Sequence, residues 1–136
     1  RGAAILLHRS LLLTVMDSRS DSGGRFVAVW GWMEGKAYNL VSVYAPLQLQ
    51  KKMLAELSDV IIGLPQGTTI IGGDFNALLH RDLDSSTGMP GGVTKGEGYL
   101  HKWLDSLGLC DVWRTWNPTN SVHTHTRLRH IIPTLV

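Results

Sequence analysis

A single cysteine, Cys110, in 136 residues excludes an internal disulfide framework and a multi-cysteine zinc site. Beside Leu109 it reads as a small buried apolar residue. Long hydrophobic runs are also missing, since none reaches the roughly 18 residues that a membrane helix needs. The best candidate, Ala3 to Met16, is broken by His8-Arg9-Ser10 and lacks the small-residue cleavage site of a signal peptide. Charge of one sign is scarce too. A formal net charge of +2 permits contact with nucleic acid without the footprint of a strongly basic binding domain. What remains is 43% apolar and 18% charged, a chain able to bury a core and long enough for one domain at most. With neither cystine nor an export signal, a nuclear or cytoplasmic setting is expected rather than secretion. Arg1 already lies within an apolar pattern, as expected of an internal piece of a larger protein.

Ala3 to Leu7 reads as a buried strand and Leu11 to Val15 as a second short one. Asp17 to Gly24 has the composition of a turn cluster. Arg25 to Trp32 is rich in β-branched and aromatic residues, and Ala37 to Tyr44 returns after Met33-Glu34-Gly35-Lys36, so the two form an antiparallel hairpin. Pro46 stops the returning strand. Met53, Leu54, Leu57, Val60 and Ile61 then mark one face of an amphipathic helix, closed by Gly63 and Pro65.

Thr68 to Gly72 is a continuous apolar strand, expected to be buried on both faces. Leu79 to Glu97 is polar and glycine-rich, a surface loop that includes His80, Arg81, Asp82 and Asp84. A second amphipathic helix turns Tyr99, Leu100, Trp103, Leu104 and Leu107 inward and is capped by Gly108. Asp111 is the N-cap of a short helical turn, Trp113 and Trp116 pack in the core and turn, and Ser121 to Thr126 alternates as a strand. Interleaved strands and helices give an α/β or α+β fold with a mixed, mostly antiparallel sheet.

The chemistry-bearing stretch is Gly72-Gly73-Asp74-Phe75-Asn76. If strand alternation continues through it, Asp74 and Asn76 share one side at the strand's C-terminal end and Phe75 packs on the other. A carboxylate there suits a hard cation such as Mg²⁺, and an amide suits a phosphate oxygen or a water. Ordinary Asx turns have the same composition, so spacing alone leaves both readings open. His123 and His125 share a strand face but have no third ligand nearby, which argues against a metal pair. Gly88 to Gly98 lacks the Gly-Lys-Ser/Thr order of a phosphate loop.

The order of motifs adds a resemblance that covers most of the chain. GGDFNALLHRDLD, preceded by GAAILLHRS and NLVSVYAP and followed by LGLCDVWRTWNPTN, resembles the endonuclease/exonuclease/phosphatase superfamily. It is most similar there to the apurinic-type endonuclease domains that precede the reverse transcriptase of non-LTR retrotransposons. The resemblance implies part of a four-layered α/β sandwich over residues 1–126, with 127–136 a divergent tail. It also implies Mg²⁺-dependent phosphodiester hydrolysis with DNA as substrate, and a reverse transcriptase domain in the same parent polypeptide. Asp74 would orient or activate water and serve as a metal ligand, Asn76 would hold the scissile phosphate, and Tyr44 would contact the same phosphate.

The family's set also contains an early Asn, a metal-binding Glu, a Ser-Arg-Ile-Asp-Tyr motif and a Ser-Asp-His. This sequence matches none of them clearly; Thr126 to Ile132 aligns with the third only if Arg129 replaces its Asp. Two functional expectations therefore stand side by side: a nuclease-type phosphodiesterase segment, or a catalytically inactive remnant with residual nucleic-acid binding. A lipid or inositol phosphate substrate is a third.

Overall fold

The alternating run that begins at Phe26 and the one that ends at Tyr44 pair over their whole length, and the rest of the sheet is built onto them. Residues 2–46, 50–77, 79, 83 and 95–120 are described by a computed structural model. Contacts divide the chain into two compact units, Arg1–Phe75 and Asn76–Val136.

The first unit is a four-stranded mixed sheet of β1 (Thr14–Ser20), β2 (Phe26–Met33), β3 (Lys36–Tyr44) and β4 (Thr68–Asp74), with α1 (Gln50–Ile62) between β3 and β4. The strands lie in sequence order; β1–β2 and β2–β3 are antiparallel and β3–β4 is parallel. The expected hairpin is present. Its two-residue turn has Glu34 at φ 51° and Gly35 at φ 75°, the left-handed pair that matches the twist of the flanking strands.

Register puts Phe26 and Ala28 of β2 beside Val43 and Val41 of β3, and Val41 beside Ile71 of β4. All five are buried on one face of the sheet. Met53, Leu54 and Leu57 of α1 are fully buried, as their helical spacing predicts, and each contributes about 1.5–3 kcal/mol of hydrophobic stabilisation. Two polar contacts tie α1 and its exit to the sheet. Arg25, just before β2, donates to Glu56 of α1 at 2.6 Å. Asn39, on the buried face of β3, donates from Nδ2 to the Pro65 carbonyl at 2.9 Å.

Four expectations for this unit are corrected. Ala3 to Leu7 is not a strand: Leu6 is 91% exposed, and the segment is held by the Ala3 N–H to the Gly24 carbonyl. The first strand starts at Thr14, later than expected, and runs through Asp17-Ser18-Arg19-Ser20, where a turn was expected. The turn is Asp21 to Arg25, closed by the Asp21 carboxylate accepting from the N–H groups of Gly23, Arg25 and Phe26. β4 is not buried on both faces; Ile71 is fully buried and Ile70 only half.

In the second unit α2 (Lys95–Ser106) buries Leu100, Trp103 and Leu104. It ends in a Schellman motif, with Gly108 at φ 64° and N–H bonds from Leu109 to the Leu104 carbonyl and from Gly108 to the Asp105 carbonyl. Asp111 caps α3 (Val112–Trp116), accepting from the Arg114 N–H at 2.9 Å. Three side chains expected inside lie outside: Cys110 is exposed, and Trp113 and Trp116 are 38% and 77% exposed. The buried member of that turn is Arg114, whose guanidinium donates to the carbonyls of Asn117 and Asn120. The Gly88 loop, His80, Arg81, Asp82, Asp84, His123, His125 and the strand expected at Ser121 to Thr126 lie outside the described residues.

Burial pushes the Asp21 carboxyl upward, but the Arg25 guanidinium and the N–H groups of Phe26 and Arg25 outweigh it and hold its pKa below the ordinary 3.8. A depressed carboxylate adds stability that is fully present above its unfolded value and is lost as pH falls through the folded one. Thermal melts at a series of pH values should therefore show stability falling below about pH 4. Asp21→Asn should flatten that acid limb and cost about 1–3 kcal/mol at neutral pH.

Candidate active site

Parallel strands joined by a helix finish at the same end of the sheet, and here that brings Tyr44 and Asp74 together as register partners at the C-terminal ends of β3 and β4. In open sheets with parallel strands, this end is where ligands bind. The backbone reinforces the pairing beyond the last ladder position. The Ala45 N–H donates to the Asp74 carbonyl at 2.7 Å, and the Tyr44 N–H donates to the Arg25 carbonyl at 2.6 Å. Ala45 is fully buried, Tyr44 is half-buried and Asp74 is exposed. An apolar floor thus carries a phenol and a carboxylate at its rim.

Gly73 makes this register possible. Its φ of 142° lies in a region that side-chain-bearing residues rarely adopt. A Cβ there would also meet the Val43 carbonyl oxygen at 2.0 Å and the Val43 nitrogen at 2.7 Å. The second glycine of the motif is therefore needed for β4 to pass close against β3 and deliver Asp74 opposite Tyr44.

Beyond Asp74 the expected alternation breaks. β4 ends at Asp74, Phe75 turns inward at 7% exposure, and Asn76 is exposed with φ 47°. Asn is among the few residues that adopt this left-handed conformation readily, so its position follows from a turn and not from strand periodicity. Tyr44 and Asp74 belong to the first unit, whereas Asn76 opens the second.

Among the described residues no group of three His, Cys, Asp or Glu could hold a metal ion. The strand ends supply one carboxylate. That does not fit a closed protein cage for a cation. It does fit the way Mg²⁺ is often held, by one or two carboxylates with water and phosphate oxygens completing the shell. No helix among the described residues is long and apolar enough to cross a membrane.

Comparison with known proteins bears on this geometry. The chain superposes on the endonuclease domain of TRAS1, a telomere-specific non-LTR retrotransposon, with a TM-score of 0.52, 20% identity, and coverage of 68% of this chain and 42% of that one. The chain has the endonuclease/exonuclease/phosphatase fold. A second structure, the human Nocturnin catalytic domain with bound sulfate, matches at a TM-score of 0.49 and 16% identity over 93% of this chain and 48% of its own. In sequence the chain is 30% identical over 132 residues, 94% of its length, to the Transposon TX1 uncharacterized 149 kDa protein of Xenopus laevis. It spans 10% of that relative's length. No family model matches. The four-stranded mixed sheet with its helices is an α+β arrangement consistent with this fold.

Arg25 escaped sequence reading. It lies before a strand, with nothing local to show that its carbonyl would hold the Tyr44 N–H while its side chain reached Glu56. Gly73→Ala should cost at least about 3 kcal/mol in chemical denaturation, through strain and clash together. Gly35→Asn, at a left-handed position with nothing within 4 Å of the added Cβ, should cost less than about 1 kcal/mol.

Proposed function

We propose that this chain is a segment of a Mg²⁺-dependent phosphodiesterase of the retrotransposon endonuclease type, acting on DNA. The observation that carries the reading is the parallel register of Tyr44 with Asp74 at the strand ends, held by Gly73. The likeness to a transposon protein and to a retrotransposon endonuclease domain supports a nucleic-acid substrate and a larger parent polypeptide.

In this reading the exposed Asp74 carboxylate orients the attacking water, accepts its proton and supplies an oxygen to the cation. Asn76 donates its amide N–H to a non-bridging oxygen of the scissile phosphate, and Tyr44 donates its phenolic O–H to the same group. When bound, Mg²⁺ stabilises charge on the attacking and leaving oxygens of an in-line displacement. Among the described residues Asp74 is the one carboxylate at the strand ends and no three-ligand group gathers there, which supports the inactive-remnant reading for the isolated chain.

The test is nicking of supercoiled plasmid with and without Mg²⁺. In the polypeptide that contains this segment, Asp74→Ala, Asn76→Ala and Tyr44→Phe should each lower the rate by about 10²–10³-fold. Nicking that survives Asp74→Ala unchanged would refute the assignment. The isolated 136 residues should show no Mg²⁺-dependent nicking, and activity there that vanishes in Asp74→Ala would overturn the remnant reading.

A further inference from the structure

The two edges of the sheet differ. β4 has Ile71 fully buried, whereas all seven residues of β1 are exposed. Its far side pairs with no strand among the described residues. Such an edge presents unpaired backbone groups to any strand that can match it. The Ser18 N–H is taken by the Asp17 carboxylate at 2.7 Å. In a strand paired on one side only, that marks Ser18 as a residue whose N–H faces the open edge.

The edge is also self-complementary. Asp17 and Arg19 flank Ser18 on one face of the sheet, opposite Trp30 and Ala28 of β2, and Arg19 is steadied over the Trp30 ring at 5.6 Å. We infer that β1 is a docking edge for a second copy of this chain, with the two β1 strands antiparallel about a two-fold axis at Ser18. In that register Asp17 lies directly opposite the partner's Arg19, and the symmetry repeats the pair. Opposite charges facing each other across strands are stabilising and like charges are not. Ser18 and its mate exchange both N–H···O bonds, and Asp17 leaves its local contact with the Ser18 N–H for the partner's guanidinium. An isologous contact of this kind closes as a dimer and does not propagate.

Sedimentation equilibrium of the 136-residue chain over a range of concentrations tests this. The weight-average mass should rise from 15.0 kDa toward about twice that. Asp17→Arg sets Arg against Arg and Arg19→Asp sets Asp against Asp, so each should hold the chain monomeric. The double exchange should restore association. Ser18→Pro removes the edge N–H without touching the β2 ladder and should also abolish dimers, with circular dichroism confirming that every variant stays folded. A chain that is monomeric at all concentrations would overturn the proposal and leave the edge to a different strand. So would association that both single charge variants retain.

Discussion

The parallel contact between β3 and β4 is the constraint on which the rest of the first unit depends. Parallel neighbours cannot be joined by a tight turn, so a crossover must carry the chain back across the sheet, and α1 is that crossover. Once α1 is there, its Met53, Leu54 and Leu57 need a surface to cover, and Phe26, Ala28, Val41, Val43 and Ile71 provide it on a single face. The same pairing directs both strands the same way, so Tyr44 and Asp74 emerge together. Packing and site geometry are consequences of one topological choice, and Gly73 is where that choice demands a residue without a Cβ.

Arg25 couples this pairing to the remainder of the sheet. Its guanidinium bonds to Asp21 in the turn before β2 and to Glu56 on the helix, while its carbonyl receives the N–H of Tyr44. Bonds to Asp21 and Glu56 hold the guanidinium in its charged form and raise its pKa. Surface ion pairs contribute little on their own, but a side chain held at both ends and partly sheltered has few rotamers to explore. Disturbance of the Asp21 turn would thus reach the Tyr44 end of β3 through one residue.

Features written in local patterns were legible from sequence. The hairpin turn, α1, α2 with its Gly108 cap and the Asp111 cap of α3 all rest on contacts within a few residues, so periodicity and capping chemistry exposed them. Features that depend on distant partners were not. Ala3 to Leu7 has the composition of a buried strand, yet burial requires a partner surface, and Leu6 finds none among the described residues. Asp17 to Ser20 has turn composition but forms a strand, because β2 offers it a ladder. Arg114 is buried where its Nη1 can donate to two carbonyls six residues or fewer away, and nothing in its apolar–polar alternation signals that. At the site, residue order and the family resemblance proposed Asp74, Tyr44 and Asn76; the register pairs Tyr44 with Asp74, whereas the periodicity argument for Asn76 failed where the backbone turned left-handed.

Fold and activity draw on different parts of this arrangement. Delivering Tyr44 and Asp74 to one end of the sheet requires only apolar packing, one glycine and a crossover helix, all of which the first unit contains. Phosphodiester hydrolysis requires more: charge must be balanced on both the attacking and the leaving oxygen while water is activated. A single exposed carboxylate can orient a water, but its pull on a cation is screened on the solvent side. Closely placed second and third ligands turn such a point into a site, and among the described residues they do not gather. The strand-end register is therefore a scaffold property that survives whether or not the charges around it are complete. Gly72-Gly73-Asp74-Phe75-Asn76 can accompany the endonuclease/exonuclease/phosphatase fold whether or not further ligands gather around it.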